Sequence, residues 1–283
     1  MSATPMKGRP LAERIRAEVA ERVRLVGRIG LVTVLVGDDP ASDVYIRLKH
    51  KAAIEAGFDA TDLRLAAETT EEELLSKVAE LNGSDEVDAI LVQLPLPDHI
   101  DEARIIRAVA PAKDVDGFHP LNAGELYLGR PAIVSATPRG VMALLAEHRI
   151  ELDGVRVVVI GRSAIVGKPV SMLLQQANAT LTLCHSHTRE LARHTLDADV
   201  LVVAAGVPTL VTADMVKAGS VVVDVGMNRT EAGLVGDVDP GAAEVAAFMT
   251  PVPGGVGPMT IACLLENAVQ CALYRRGELA YPG

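Results

Sequence analysis

Residues 155–169 read VRVVVIGRSAIVGKP: a run of Val and Ile that ends at Gly161, a short polar turn, and the start of a helix near Gly167. A strand with so little polar alternation is buried on both faces, as the strands of parallel sheets are. A helix that opens straight after such a turn presents free N–H groups and a partial positive charge to a pyrophosphate. The usual dinucleotide fingerprint is nonetheless broken, because Ser163 holds the second glycine's place and Val166 the third's. Taken alone, the stretch fits plain α/β architecture as well as it fits a cofactor turn.

The same texture extends in both directions. Apolar runs recur at GLVTVLVG (30–37), DAILVQLPLP (88–97), ATLTLCHS (179–186), ADVLVVAAG (198–206) and GSVVVDVG (219–226), with helical stretches between them. That alternation is the mark of an α/β protein. From Val155 onward the strand runs come about 20 residues apart, the length of a strand plus one crossover in a doubly wound sheet. Upstream, a charged amphipathic helix at 11–25 leads to a strand, a helix near 41–57, a strand near 61–66, a helix near 71–82, a strand ending in Gln93 and a helix near 101–109. Helical stretches at 137–150 and 258–276 connect the two units, the last one returning to pack on the first. The expected fold class is α/β, with two α/β units, the second a Rossmann-type doubly wound parallel sheet, and a cleft between them. The expected division is 1–118, completed by 258–283, and 119–257.

Composition excludes several classes of function. The chain has 283 residues, 49% of them hydrophobic, which rules out disorder and leaves room for one large domain or two ordinary ones. Its formal net charge of −10 argues against holding nucleic acid or an anionic membrane, so an anionic ligand must meet a local positive patch. The three cysteines, Cys184, Cys263 and Cys271, are unclustered, which fits a reducing compartment and neither a disulfide framework nor a zinc site. Residues 1–16 carry no apolar run of signal-peptide type. The uncharged stretch 245–265 is centred on PVPGGVGP, which would leave backbone groups unpaired in lipid, so it reads as a buried loop. A soluble cytoplasmic protein is expected.

Cofactor preference can be read at the end of the strand after the glycine turn. An NAD site carries Asp or Glu about 20 residues beyond that turn, on the ribose 2′-hydroxyl. Here the position falls within Cys184-His185-Ser186-His187, which has no carboxylate. An acid would repel a 2′-phosphate, whereas Arg162, the Ser186 hydroxyl and a histidine would accept it, so the sequence leans towards NADP. The same cysteine and histidines could be read as metal ligands, but no third ligand accompanies the two histidines, and no metal is expected.

Candidate chemistry lies in the first unit. Tyr45 and Lys49, in ASDVYIRLKHKAAIEAGF, stand four residues apart and so share a helical face. The plain alternative is a snorkelling lysine beside a half-buried tyrosine. Short-chain dehydrogenases use such a pair, but they place it after their glycine turn, and here it precedes the turn. Gln93 ends a buried strand in VQLPLP, at the C-terminal edge where open sheets bind ligands. PAKDVDGFHP (111–120) sets Asp114 and Asp116 in a tight turn where the units meet, and TPVPGGVGPMT (250–260) is a loop whose backbone can approach a flat ligand closely.

Together these segments resemble the bifunctional methylenetetrahydrofolate dehydrogenase/methenyltetrahydrofolate cyclohydrolase family, from about Gly8 to the last helix. The carriers are VGDDPAS with YIRLK, VQLPLP, KDVDGFHP with NAGEL, TPRGV, GRSAIVGKP, VVVDVGMNR and TPVPGGVGPMT, in the family's order. The resemblance implies Lys49 as the catalytic lysine, Tyr45 stacked on the folate, Gln93 bonded to the lysine and Asp116 on the pterin-like ring. It implies substrate contacts at Val92, Leu94, Pro253, Gly254, Gly255 and Ile261, and NADP contacts at Gly161, Arg162, Ser163, Ser186 and Met227. It also implies a homodimer formed through the cofactor unit. Two departures stand out: Ala136 replaces a cysteine common in the family, and the segment 26–30 is shorter than usual. The rival readings are a shikimate-dehydrogenase-like enzyme, which VQLPLP and PGGVGP disfavour, and a non-catalytic folate-binding protein.

Overall fold

A computed structural model describes residues 2–37, 40–231 and 233–282, with the backbone alone described at 40–45. The chain forms two compact units, Met1–Glu13 with Ala136–Cys263, and Arg14–Ser135 with Leu264–Gly283. In chain order the first elements are β1 (Thr4–Pro5), α1 (Gly8–Val26), β2 (Gly30–Val36), α2 (Pro40–Glu55), β3 (Asp59–Leu65), α3 (Glu71–Gly83), β4 (Ala89–Val92), α4 (Glu102–Ala108) and α5 (Pro120–Tyr127). They continue with α6 (Ala136–Glu147), β5 (Arg156–Ile160), α7 (Gly167–Gln176), β6 (Thr180–Cys184), α8 (Leu191–Thr195), β7 (Val200–Val203), β8 (Val221–Asp224), β9 (Asn228–Thr230), β10 (Gly233–Val235), β11 (Phe248–Met249) and α9 (Val256–Arg275).

The unit that begins at Arg14 is built on a parallel sheet ordered β3-β2-β4. β2 lies in the middle, and all seven of its residues, GLVTVLV, are buried, which is what an apolar run without alternation predicts. β3, on the edge, is DATDLRL, and none of its residues is fully buried. A segment past α4 joins the free side of β4: Ile90 N–H donates to the Lys113 carbonyl at 2.7 Å, and Val115 N–H to the Ile90 carbonyl at 3.3 Å. Local signals set the helix ends. Thr70 and Glu73 form a reciprocal capping box at the start of α3, and Asp101 accepts the Ala103 and Arg104 N–H groups at the start of α4. At the other end of α3 the Lys113 ammonium donates to the carbonyls of Leu81, Asn82 and Ser84 at 2.8–3.1 Å, a cation placed against the negative end of the helix.

The unit that contains Gly161 is built on a parallel sheet ordered β1-β11-β8-β7-β5-β6. Four of these strands, β5 to β8, coincide with apolar runs of the sequence. β1 and β11 extend the sheet, and at two residues each they leave no periodicity to read. One expectation needs correction. ATLTLCHS reads as a doubly buried strand, yet in β6 only Cys184 is buried, because β6 is the sheet's outer edge. All three cysteines are buried and free. The 245–265 stretch forms β11, a turn and the start of α9. α9 is long and apolar enough to cross a membrane by length and composition, and most of it is buried inside the protein.

Candidate active site

Lys49 lies in α2 and is half-buried, and its ammonium donates to the Gln93 side-chain oxygen at 3.2 Å. The Gln93 amide has a fixed direction, because its nitrogen donates to the Leu94 carbonyl at 2.6 Å and so turns the oxygen to the lysine. Its backbone N–H bonds the Val34 carbonyl at 2.9 Å, one step past the end of β4, which places the side chain on the C-terminal edge of the sheet. Asp116 reaches the same edge: the parallel bridge pairs Ile90 with Asp114, so Asp116 stands two steps further along. Gly117 makes the turn with φ +68°, and a Cβ there would lie 2.8 Å from the Ile133 carbonyl oxygen.

The two aspartates of KDVDGFHP differ sharply. Asp114 is buried and held by backbone N–H groups of Asp116, Gly117 and His119 and by the Asn122 amide, which in turn accepts the Tyr281 hydroxyl at 2.7 Å. Its oxygens are spent on structure. Among the described residues no hydrogen-bond donor is committed to Asp116, and what faces it is charge. Burial pushes its carboxyl up to about 6, against the opposing pull of Lys49 and with help from Asp114. Burial likewise lowers Lys49, and the negative charge of Asp116 works against that lowering. A lysine with its proton weakened by burial, a neutral amide holding it and a carboxylate alongside gives up and regains a proton more readily than a free lysine.

The other sequence-predicted residues fall as follows. Tyr45 is in α2, but its side chain lies outside the described residues. Val92 and Leu94 pack into the core of their unit. Pro253 is exposed after a cis Val252–Pro253 bond, Gly254 has φ +108°, and its carbonyl accepts the Gly8 N–H at 2.9 Å. A Cβ on Gly255 would lie 2.7 Å from the Pro251 carbonyl oxygen, and Ile261 lies half-buried in α9. The loop therefore needs glycine for its own path.

In the other unit, Gly161 follows β5 with φ +111°, and a Cβ there would lie 2.0 Å from the Ala204 carbonyl oxygen. Two details of the sequence reading are corrected. Close helix approach, the third glycine's task, falls on Gly167 rather than Val166, since a Cβ on Gly167 would lie 1.9 Å from the Gly161 carbonyl oxygen. The helix N-terminus also does not present free N–H groups: the Ser163 hydroxyl accepts those of Val166 and Gly167, and the Ser163 carbonyl accepts that of Lys168. The partial positive charge of α7 remains, but its first donors are capped. Ile160 pairs with Cys184 across β5 and β6, so Arg162 and Ser186 each stand two residues beyond that pair, both exposed on the C-terminal edge. His185 and His187 occupy a turn rather than a strand, where the His187 N–H meets the His185 ring nitrogen at 3.2 Å. Met227 is exposed, beside the backbone of Gly257. A guanidinium, a hydroxyl and imidazoles at one edge, with no carboxylate among them, match the chemistry of a 2′-phosphate, and the missing side chain of Gly161 lets the Ala204 carbonyl lie against the turn. Among the described residues no group of His, Cys, Asp and Glu is placed to hold a metal ion.

Two family models match the chain. Residues 6–116 match the tetrahydrofolate dehydrogenase/cyclohydrolase catalytic domain, and residues 135–276 the NAD(P)-binding domain of the same family. The bifunctional protein FolD of Paraburkholderia xenovorans is 53% identical over 278 residues, 96% of this chain and 97% of the relative. The crystal structure of the FolD methylenetetrahydrofolate dehydrogenase/cyclohydrolase from Campylobacter jejuni is similar at TM-score 0.95 and 45% identity, covering 97% of this chain and 100% of that one. The Trypanosoma brucei enzyme, solved with NADP cofactor and inhibitor, is similar at TM-score 0.93 and 40% identity over 99% of this chain and 100% of that one.

Proposed function

The chain belongs to the tetrahydrofolate dehydrogenase/cyclohydrolase family, and from that membership we propose how its own residues carry the two reactions. It is a bifunctional folate one-carbon enzyme: it oxidises 5,10-methylenetetrahydrofolate to the 5,10-methenyl cation with NADP, and hydrolyses that cation to 10-formyltetrahydrofolate. A shikimate-dehydrogenase-like activity is not favoured. We assign folate to the unit that carries Lys49 and NADP to the unit that carries Gly161.

NADP, when bound, supplies the acceptor for the hydride that leaves the methylene bridge. The chain's part in that step is orientation. Arg162, Ser186 and a neighbouring histidine would hold the 2′-phosphate, while in the folate unit Asp116 bonds the pterin-like ring and Tyr45 stacks on it. In the hydrolysis, a water oxygen bonds to the cationic bridge carbon and Lys49 takes the proton it releases. The bond from that carbon to N5 then breaks as the remaining hydroxyl proton leaves and N5 gains one, which leaves a formyl group on N10. The bound cation makes the proton on Lys49 still easier to lose, and Gln93 steadies the amine without locking in its charge as a carboxylate would.

The observation that carries this reading is the half-buried Lys49, lowered by burial and held by a neutral amide. Pure protein given methylenetetrahydrofolate with NADP should form the methenyl and then the formyl product, faster than with NAD. Methenyl formation with no enzymatic formyl product would overturn the hydrolytic half. We further read the protein as a cytoplasmic homodimer that takes small folate substrates and holds neither nucleic acid nor membrane. Its buried free cysteines, acidic balance and family membership support this.

A further inference from the structure

The strand ends of the cofactor unit converge on two buried carboxylates that no step above uses. Asp224, at the end of β8, accepts the N–H groups of Gly226 at 2.9 Å, Asp237 at 3.0 Å and Val238 at 3.0 Å. Asp237 is fully buried, and its Oδ2 accepts the N–H groups of Ala205 at 2.7 Å and Gly206 at 2.8 Å, while its Oδ1 accepts the Asn228 amide at 2.8 Å. Space for these groups exists only because of glycine: a Cβ on Gly226 would lie 2.2 Å from Asp237 Oδ1, and one on Gly236 would lie 1.8 Å from Asp224 Oδ2.

The partners of Asp237 lie where a ligand would. Ile160 pairs with Val203, and Val203 with Asp224, so the chain segments after β5, β7 and β8 leave one row of the sheet at its C-terminal edge. That edge binds the ligand in open parallel sheets. The peptide that gives its Ala205 N–H to Asp237 also carries the Ala204 carbonyl, whose oxygen stands 2.0 Å from where a Cβ on Gly161 would be. Orienting that peptide therefore fits it against the glycine turn itself.

We propose that Asp237 is a positioning residue for NADP: its carboxylate locks the Ala205–Gly206 backbone and the Asn228 side chain, so that the loops at the sheet edge hold the single shape a dinucleotide needs. The inference rests on the reading of this unit as the NADP unit. A carboxylate is required because every partner is a donor, and an amide in its place would turn its own N–H groups against some of them.

The test compares Asp237→Asn and Asn228→Ala with the parent, measuring KM for NADP, kcat at saturating NADP, and methenyl hydrolysis, which uses no NADP and reports folding. In Asp237→Asn the KM for NADP should rise roughly tenfold, the scale of losing hydrogen bonds to a charged group. In Asn228→Ala it should rise less, with kcat and hydrolysis near parental values in both. If Asp237→Asn fails to fold and loses both activities, Asn228→Ala decides. A raised KM for NADP with hydrolysis intact supports the proposal, and an unchanged KM overturns it. Unchanged KM in both folded variants overturns it as well. A parent that binds no NADP would remove the reading of the unit itself, an outcome distinct from any change between variants.

Discussion

At the scale of the residue, Lys49 and Asp116 set each other's chemistry. Burial lowers Lys49 and raises Asp116, and each charge resists the other's shift. Replacing Asp116 with Asn removes the influence that raises Lys49 and leaves burial unopposed. The amine then stays neutral to lower pH, so the acidic limb of the pH profile for methenyl hydrolysis should move down, even as loss of the proposed ring contact lowers the rate. A limb that stays in place or moves up would show that Asp116 does not act on the lysine that limits hydrolysis. The sequence places Asp114 and Asp116 in one turn without separating them on chemistry. Their difference comes from donors brought by His119, Asn122 and, through Asn122, Tyr281, whose contact with Asn122 no local spacing announces.

At the scale of the element, the turn between β5 and α7 shows what a sequence pattern can and cannot carry. The strand, the turn and the helix start are all legible in VRVVVIGRSAIVGKP, because burial and glycine act locally. Which glycine bears the close approach is not, since that depends on where the helix packs. Gly167→Ala should destabilise the cofactor unit by at least about 2 kcal/mol, because the new Cβ meets a backbone carbonyl oxygen that cannot swing aside. Thermal unfolding with and without NADP checks this, and a variant as stable as the parent would contradict it. Ser163 was legible as a break in the fingerprint, and the structure gives it work: it caps the helix that the missing glycine would have left open. The Asp224–Asp237 pair leaves only a faint trace in the sequence, two aspartates close to glycines in VVVDVGMN and VGDVDP, one of them ending a buried strand.

For the whole molecule, the apolar runs were enough to give two α/β units, because a doubly buried strand needs Val, Leu and Ala along its entire length. They were not enough at the margins. β1 and β11 are too short for a period, and the edge strand β6 mimics a buried one until its place in the sheet is known. The formal charge of −10 coexists with a strand-end edge that bears Arg162, Ser186 and histidines, so net charge describes the surface at large and not each local patch. One chain with two reactions implies that they can be separated: hydride transfer depends on orientation, hydrolysis on a proton acceptor. The decisive measurement is Lys49→Met assayed in parallel for NADP-dependent oxidation of methylenetetrahydrofolate and for hydrolysis of methenyltetrahydrofolate. The account predicts that hydrolysis falls to the uncatalysed rate while hydride transfer remains measurable. Hydrolysis persisting at the parental rate would contradict it.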